Sequence, residues 1–123
     1  MKIRAVPRGV VSGLGCLLLL GLCAAALAQN ITASNTSRAL GNGRWEWTVF
    51  LTAPPQVLRQ IDCVEYTLHP TFPQPIRRVC AIGDTSRPFS LTASGWGEFQ
   101  IRIRVFMKRG NPVELTHDLR LTR

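Results

Sequence analysis

Residues 98–107 read "EFQIRIRVFM", and their alternation decides the fold. Phe99, Ile101, Ile103 and Val105 fall on one side of an extended chain, and Gln100, Arg102 and Arg104 on the other. Side chains of a strand alternate between faces, whereas a helix would scatter these apolar positions around its circumference. The same period recurs outward from this stretch. "RWEWTVFLTA" (44–53) sets Trp45, Trp47, Val49 and Leu51 against Arg44, Glu46, Thr48 and Thr52. "QIDCVEYTLH" (60–69) sets Val64, Tyr66 and Leu68 against Cys63, Glu65, Thr67 and His69. "IRRVCAI" (76–82) and "FSLTA" (89–93) read as shorter strands, and "VELTHDLRL" (113–121) closes the chain with Val113, Leu115, Leu119 and Leu121 on its buried side. Turn residues separate these runs and no crossover helix joins them. The expectation is an all-β, immunoglobulin-like sandwich of two antiparallel sheets.

The first 28 residues have the three parts of a secretory signal. Lys2, Arg4 and Arg8 precede the apolar "GCLLLLGLCAAA", and small Ala26 and Ala28 stand ahead of Gln29. The apolar run is shorter than the roughly 20 residues a spanning helix needs, so it reads as a cleaved export signal that leaves no membrane span. Cys16 and Cys23 are ordinary members of that run. Residues 29–43, "QNITASNTSRALGNG", are polar, small and aperiodic, and read as a flexible leader to a domain spanning 44–123. Asn30 and Asn35 head N-x-[ST] triplets, which arise readily by chance in such a composition.

Without the signal, 95 residues remain, enough for one small domain burying about 60 to 65% of its unfolded surface. The signal holds three of the fifteen basic residues and none of the seven acidic ones, so the remainder carries a charge of about +5. Its arginines are dispersed along strand patterns, which describes a solvated sheet face and not a nucleic-acid groove. Cys63 and Cys80 are the cysteines left after cleavage. In an oxidising compartment an even pair reads as a disulfide, contributing roughly 3 kcal/mol by closing a loop of about 17 residues. Neither CxxC spacing nor a cysteine–histidine cluster is present, so no metal site or cofactor is implied. Asp62, Glu65, Asp84, Glu98 and Asp118 form no recognisable acid–base pair, and the expectation is a domain that is not an enzyme.

Two stretches stand outside the strand grammar. In "LHPTFPQP" (68–75), Pro70, Pro73 and Pro75 restrict their own torsions and those of His69, Phe72 and Gln74. Phe72 is thereby presented on a stiff loop, where packing by a ligand costs little entropy. In "SGWGEF" (94–99), Trp96 stands between Gly95 and Gly97, whose missing side chains let a ligand approach the backbone. Two loop aromatics with a histidine and a hydroxyl describe a slot for a flat polar group. The same rings could instead plug the open end of the sandwich.

At these residues the chain resembles the YEATS domain family, immunoglobulin-like modules that read acylated lysine in histone tails. The resemblance rests on "VEYTLHPTFPQP" (64–75) followed by "PFSLTASGWGEFQIRI" (88–103), and extends from "RWEWTVFL" to "LTHDLRL". It implies that an acylated lysine passes between Phe72 and Trp96, with His69 lining the pocket and the Thr71 hydroxyl bonding the acyl amide. Gly95 and the Trp96 amide match the segment that receives the acyl carbonyl, and Phe99 matches an aromatic wall. Nuclear readers act on chromatin, whereas this chain carries an export signal. The implied partner is therefore an acylated protein or peptide in the periplasm or outside the cell, with no nucleic acid. The competing reading is a structural or protein-interaction sandwich that has no small-ligand pocket.

Overall fold

The structure, a computed structural model, describes residues 30–122; the expected signal at 1–28 lies outside them. Seven strands and one helical turn follow in order: β1 (Thr32–Gly41), β2 (Arg44–Thr52), α1 (Pro55–Leu58), β3 (Ile61–Thr67), β4 (Ile76–Val79), β5 (Leu91–Gly95), β6 (Gln100–Met107) and β7 (Val113–Asp118). One sheet runs β1-β2-β5 and the other β4-β3-β6-β7, all pairs antiparallel. Between them lie the inward faces that the alternation marks. Trp47, Val49 and Leu51 of β2 meet Val64 and Tyr66 of β3 and Ile101, Ile103 and Val105 of β6, all nearly solvent-free.

The expected leader is a strand. β1 pairs with β2 along its length, from Thr32 opposite Thr52 to Gly41 opposite Arg44, and Ile31 just ahead of it is buried in the core. The domain therefore begins before residue 44. Asn42 and Gly43 turn the chain with φ of 55° and 77°, the left-handed pair that a tight hairpin requires. The polar composition of β1 has a physical use, because its side chains stitch this edge strand to the C-terminal segment. Asn35 Nδ2 donates to the Arg120 carbonyl at 2.8 Å, while Asn35 Oδ1 accepts the Arg120 N–H at 3.1 Å and His117 Nε2–H at 2.7 Å. Ser37 Oγ donates to the Thr122 carbonyl at 2.8 Å and accepts its N–H at 2.9 Å. Asn35, the head of one triplet, is thus committed to the fold. His117 is half-buried at this seam.

The hairpin β3–β4 places Cys63 beside Cys80, and the two form the expected disulfide. On the outer face, Glu65 pairs with Arg78 and, one strand over, Arg104 with Glu114, so much of the arginine-bearing face is neutralised locally. The strand expected at 89–93 runs 91–95 instead. Phe89 is buried in a left-handed conformation at φ 53°, its N–H bonded to the Ile82 carbonyl and its own carbonyl bonded by Tyr66 Oη at 2.6 Å. A bulky residue adopts that conformation only when its surroundings overdetermine it. Tyr66 supplies the constraint from inside the core, and burial pushes its phenol well above the ordinary range.

Two outcomes follow from these contacts. Tyr66→Phe leaves the Phe89 carbonyl without its donor, and urea unfolding should show a loss of about 1–3 kcal/mol. For His117, burial lowers the imidazole pKa below its ordinary 6.5, outweighing the opposing pull of Asp118. The unfolded chain then binds that proton more readily, so the histidine's contribution is complete above 6.5 and is lost as pH falls through the depressed folded value. Thermal midpoints measured between about pH 7.5 and about pH 5 should fall more steeply for the natural chain than for His117→Gln.

Candidate functional site

The end of β3, the end of β5 and the start of β6 converge at one pole of the sandwich. Thr67 of β3 pairs with Arg102 of β6, and Gly95 of β5 pairs with Trp45 of β2, so the segments leaving these strands share one rim. They enclose a cleft of about 450 Å³ lined by His69, Thr71 and Phe72 from one loop and by Ser94, Gly95, Trp96, Gly97, Glu98 and Phe99 from the other. All seven residues singled out in the sequence line this one cleft: His69, Thr71, Phe72, Gly95, Trp96, Gly97 and Phe99.

Its floor is aromatic. Phe72 and Phe99 lie with centroids 5.5 Å apart, and each meets the buried Trp47 edge-on, at 6.1 and 5.9 Å. His69 meets Phe99 in the same manner at 6.0 Å. These offset and edge-to-face arrangements are the favoured ones for aromatic quadrupoles. Phe72 is therefore half-buried and continuous with the core, whereas Trp96 is 66% exposed. Gly95 lets the ring pack closely: a Cβ there would lie 3.2 Å from Phe72 Cζ, so the ring would have to give by a few tenths of an ångström to admit one.

The stiffness of the proline loop has causes beyond its prolines. Phe72 N–H bonds the His69 carbonyl at 3.0 Å, and Leu68 N–H bonds the Pro75 carbonyl at 2.8 Å. Gln74 sits at φ 51° between two prolines, and Arg77 clamps that turn. Arg77 Nε donates to the Gln74 carbonyl at 2.6 Å and Nη2 to the Pro73 carbonyl at 2.8 Å. Arg77 was not singled out in the sequence. No local sequence signal marked it, because the left-handed turn at Gln74 and the carbonyls it leaves in need of a donor exist only in the folded loop.

Hydrogen bonding gives Thr71 a defined polarity. His69 Nδ1 lies 2.8 Å from Thr71 Oγ1 and 3.3 Å from the Thr71 N–H. A backbone N–H can only donate, so Nδ1 is the acceptor there, and the hydroxyl proton points to the same nitrogen. The Thr71 oxygen then keeps its lone pairs for a donor in the cleft, such as an amide N–H. Among the described residues no group of three or more His, Cys, Asp or Glu side chains is spaced to hold a metal ion.

A two-sheet sandwich with an aromatic cleft at one pole defines a β-sandwich binding module. The profile of the prokaryotic YEATS domain matches residues 45–120, and the chain belongs to that family. It is 34% identical over 110 residues to a protein AF-9 homolog of Eremothecium gossypii, covering 78% of this chain and 50% of that one. With the protein AF-9 homolog of Saccharomyces cerevisiae it shares 40% identity over 80 residues, covering 61% of this chain and 33% of that one. The chain thus spans half or less of the length of these relatives. Among solved structures, the Yaf9 YEATS domain bound to H3K27ac superposes with a TM-score of 0.62 at 31% identity, covering 76% of this chain and 72% of that one. The Yaf9 YEATS domain recognizing an H3K122suc peptide gives 0.60 at 33%, covering 74% and 70%. Two antiparallel sheets in this arrangement match the immunoglobulin-like sandwich of that family.

Removing the Arg77 clamp tests the rigidity of the loop without any ligand. In Arg77→Gln, the Leu68 and Phe72 amides should exchange with solvent roughly tenfold faster, while the Ile103 amide in β6 keeps its rate. Unchanged exchange at both loop amides would show that the prolines suffice alone.

Proposed function

We propose that this chain is a non-catalytic, exported binding module whose aromatic cleft holds an acylated lysine or a similar flat acyl-amide group on a protein or peptide. The observation that carries this reading is the meeting of Phe72, Thr71 and Trp96 in one cleft of a size that admits a side chain. Phe72 offers a ring fixed by Trp47 and Phe99, and Trp96 offers an exposed ring. Thr71 offers oxygen lone pairs to the amide N–H. The backbone at Gly97 leaves room for the acyl carbonyl to approach the Trp96 N–H, since a Cβ there would meet nothing within 4 Å. Each face of the planar group gains dispersion contacts, and its polar edges gain partners that replace water.

Two relatives support the acyl reading, the Yaf9 domains bound to H3K27ac and recognizing H3K122suc. Export rests on residues 1–28, and the Cys63–Cys80 disulfide supports an oxidising compartment. In that setting the partner is an acylated protein or peptide of the periplasm or the outside, and not chromatin. The presence of the cleft favours this reading over a scaffold sandwich that lacks a small-ligand pocket.

Peptides carrying acetyl-lysine or crotonyl-lysine, titrated while tryptophan fluorescence is followed, should give a saturable change that their unmodified counterparts do not. Trp96→Ala should weaken binding by at least about tenfold while shifting stability by less than about 1 kcal/mol, because the ring is exposed. Equal affinity for modified and unmodified peptides would refute the reading.

A further inference from the structure

Arg44, the first residue of β2, stands at the rim of the cleft. Its guanidinium lies 5.6 Å from the centroid of the Trp96 ring, and its Nη2 donates to Ser94 Oγ at 2.8 Å. Both of those partners line the cleft. Gly43 beside it leaves the approach open, since a Cβ there would meet only Trp96 Cε3, at 3.9 Å. Thus a planar cation lies on the one exposed indole of the site and is steadied by a hydroxyl from the same wall.

The charge of Arg44 is not spent within the described residues. The ion pairs there join Arg38 to Glu46, Arg78 to Glu65 and Arg104 to Glu114. Glu98 is the carboxylate that lines the cleft, and its Oε2 accepts the Leu121 N–H at 2.8 Å, which ties it toward the C-terminal segment. A guanidinium has five N–H donors in a fork that fits a carboxylate with two parallel bonds, and Ser94 occupies one of them. At 5.6 Å from the indole centroid the guanidinium is within cation–π range, and its remaining N–H donors enter no ion pair among the described residues.

We propose that Arg44 determines acyl specificity, selecting chains that end in a carboxylate over neutral chains of equal length. This rests on the acyl-amide reading of the cleft. With the amide held at Thr71 and the acyl chain running along Trp96, a terminal carboxylate is carried toward the ring's rim, where Arg44 supplies the opposing charge. A neutral chain reaching the same place leaves the guanidinium in water and gains nothing from it.

The test compares peptides carrying succinyl-lysine and butyryl-lysine, which have four-carbon acyl chains with and without the carboxylate. The natural full chain should bind the succinyl peptide about tenfold more tightly or better, with the gap narrowing as salt rises. Arg44→Gln should close most of that gap while leaving butyryl affinity within about threefold, and Arg44→Lys should restore part of it. Butyryl binding with no succinyl preference, or a preference that survives in Arg44→Gln, overturns the assignment and leaves the acyl-amide reading standing. Equal loss of both ligands in Arg44→Gln makes Arg44 a support for Trp96 and also overturns it. Failure of both peptides to bind removes the acyl-amide reading itself, and this one with it.

Discussion

Trp47 is the residue on which both the fold and the site depend. Its indole fills the space between the sheets, almost free of solvent, and its edges receive Phe72 and Phe99 at about 6 Å. The same contacts that complete the core therefore lay the floor of the cleft. Edge-to-face packing against Phe72 and Phe99 holds the ring in place. That makes the floor a continuation of a close-packed interior, in which small shifts are resisted from several sides.

A rigid floor carries the mobile part of the problem to the rim. Phe72 is fixed from below by Trp47, from the side by Gly95 and along the chain by three prolines and the Arg77 clamp. Trp96 has an exposed ring with Arg44 on its face. One wall is thus preorganised and the other adjustable, a combination that lowers the ordering cost of binding while allowing groups of different length to be accommodated. The opposite treatment appears at Phe89, where a strained backbone is locked from within by Tyr66 and serves the fold and not the cleft.

The edges of the sandwich show a second economy. β1 is an edge strand whose polar side chains hold the C-terminal segment, so residues that look like solvated filler close the seam between the two sheets. On the other sheet, alternating charges between β3, β4, β6 and β7 keep an exposed face soluble. Polar edges of this kind also discourage edge-to-edge association.

Period-two alternation by itself determined the strands β2, β3 and β6 and their inward faces, because burial on one side of a pleated chain imposes that period on local sequence. The proline and glycine stretches likewise marked six of the seven singled-out cleft residues, since those residue types restrict or release the backbone in ways visible without coordinates, whereas Phe99 was carried by the family resemblance. β1 escaped the same reading although Asn42 and Gly43 announce a hairpin, because an edge strand buries little and shows no apolar period. Arg77 and Arg44 were beyond local sequence for a related reason. Carbonyls in need of a donor and an indole exposed to a passing cation arise only when separate segments are folded onto one pole, and long-range proximity leaves no periodic trace along the chain.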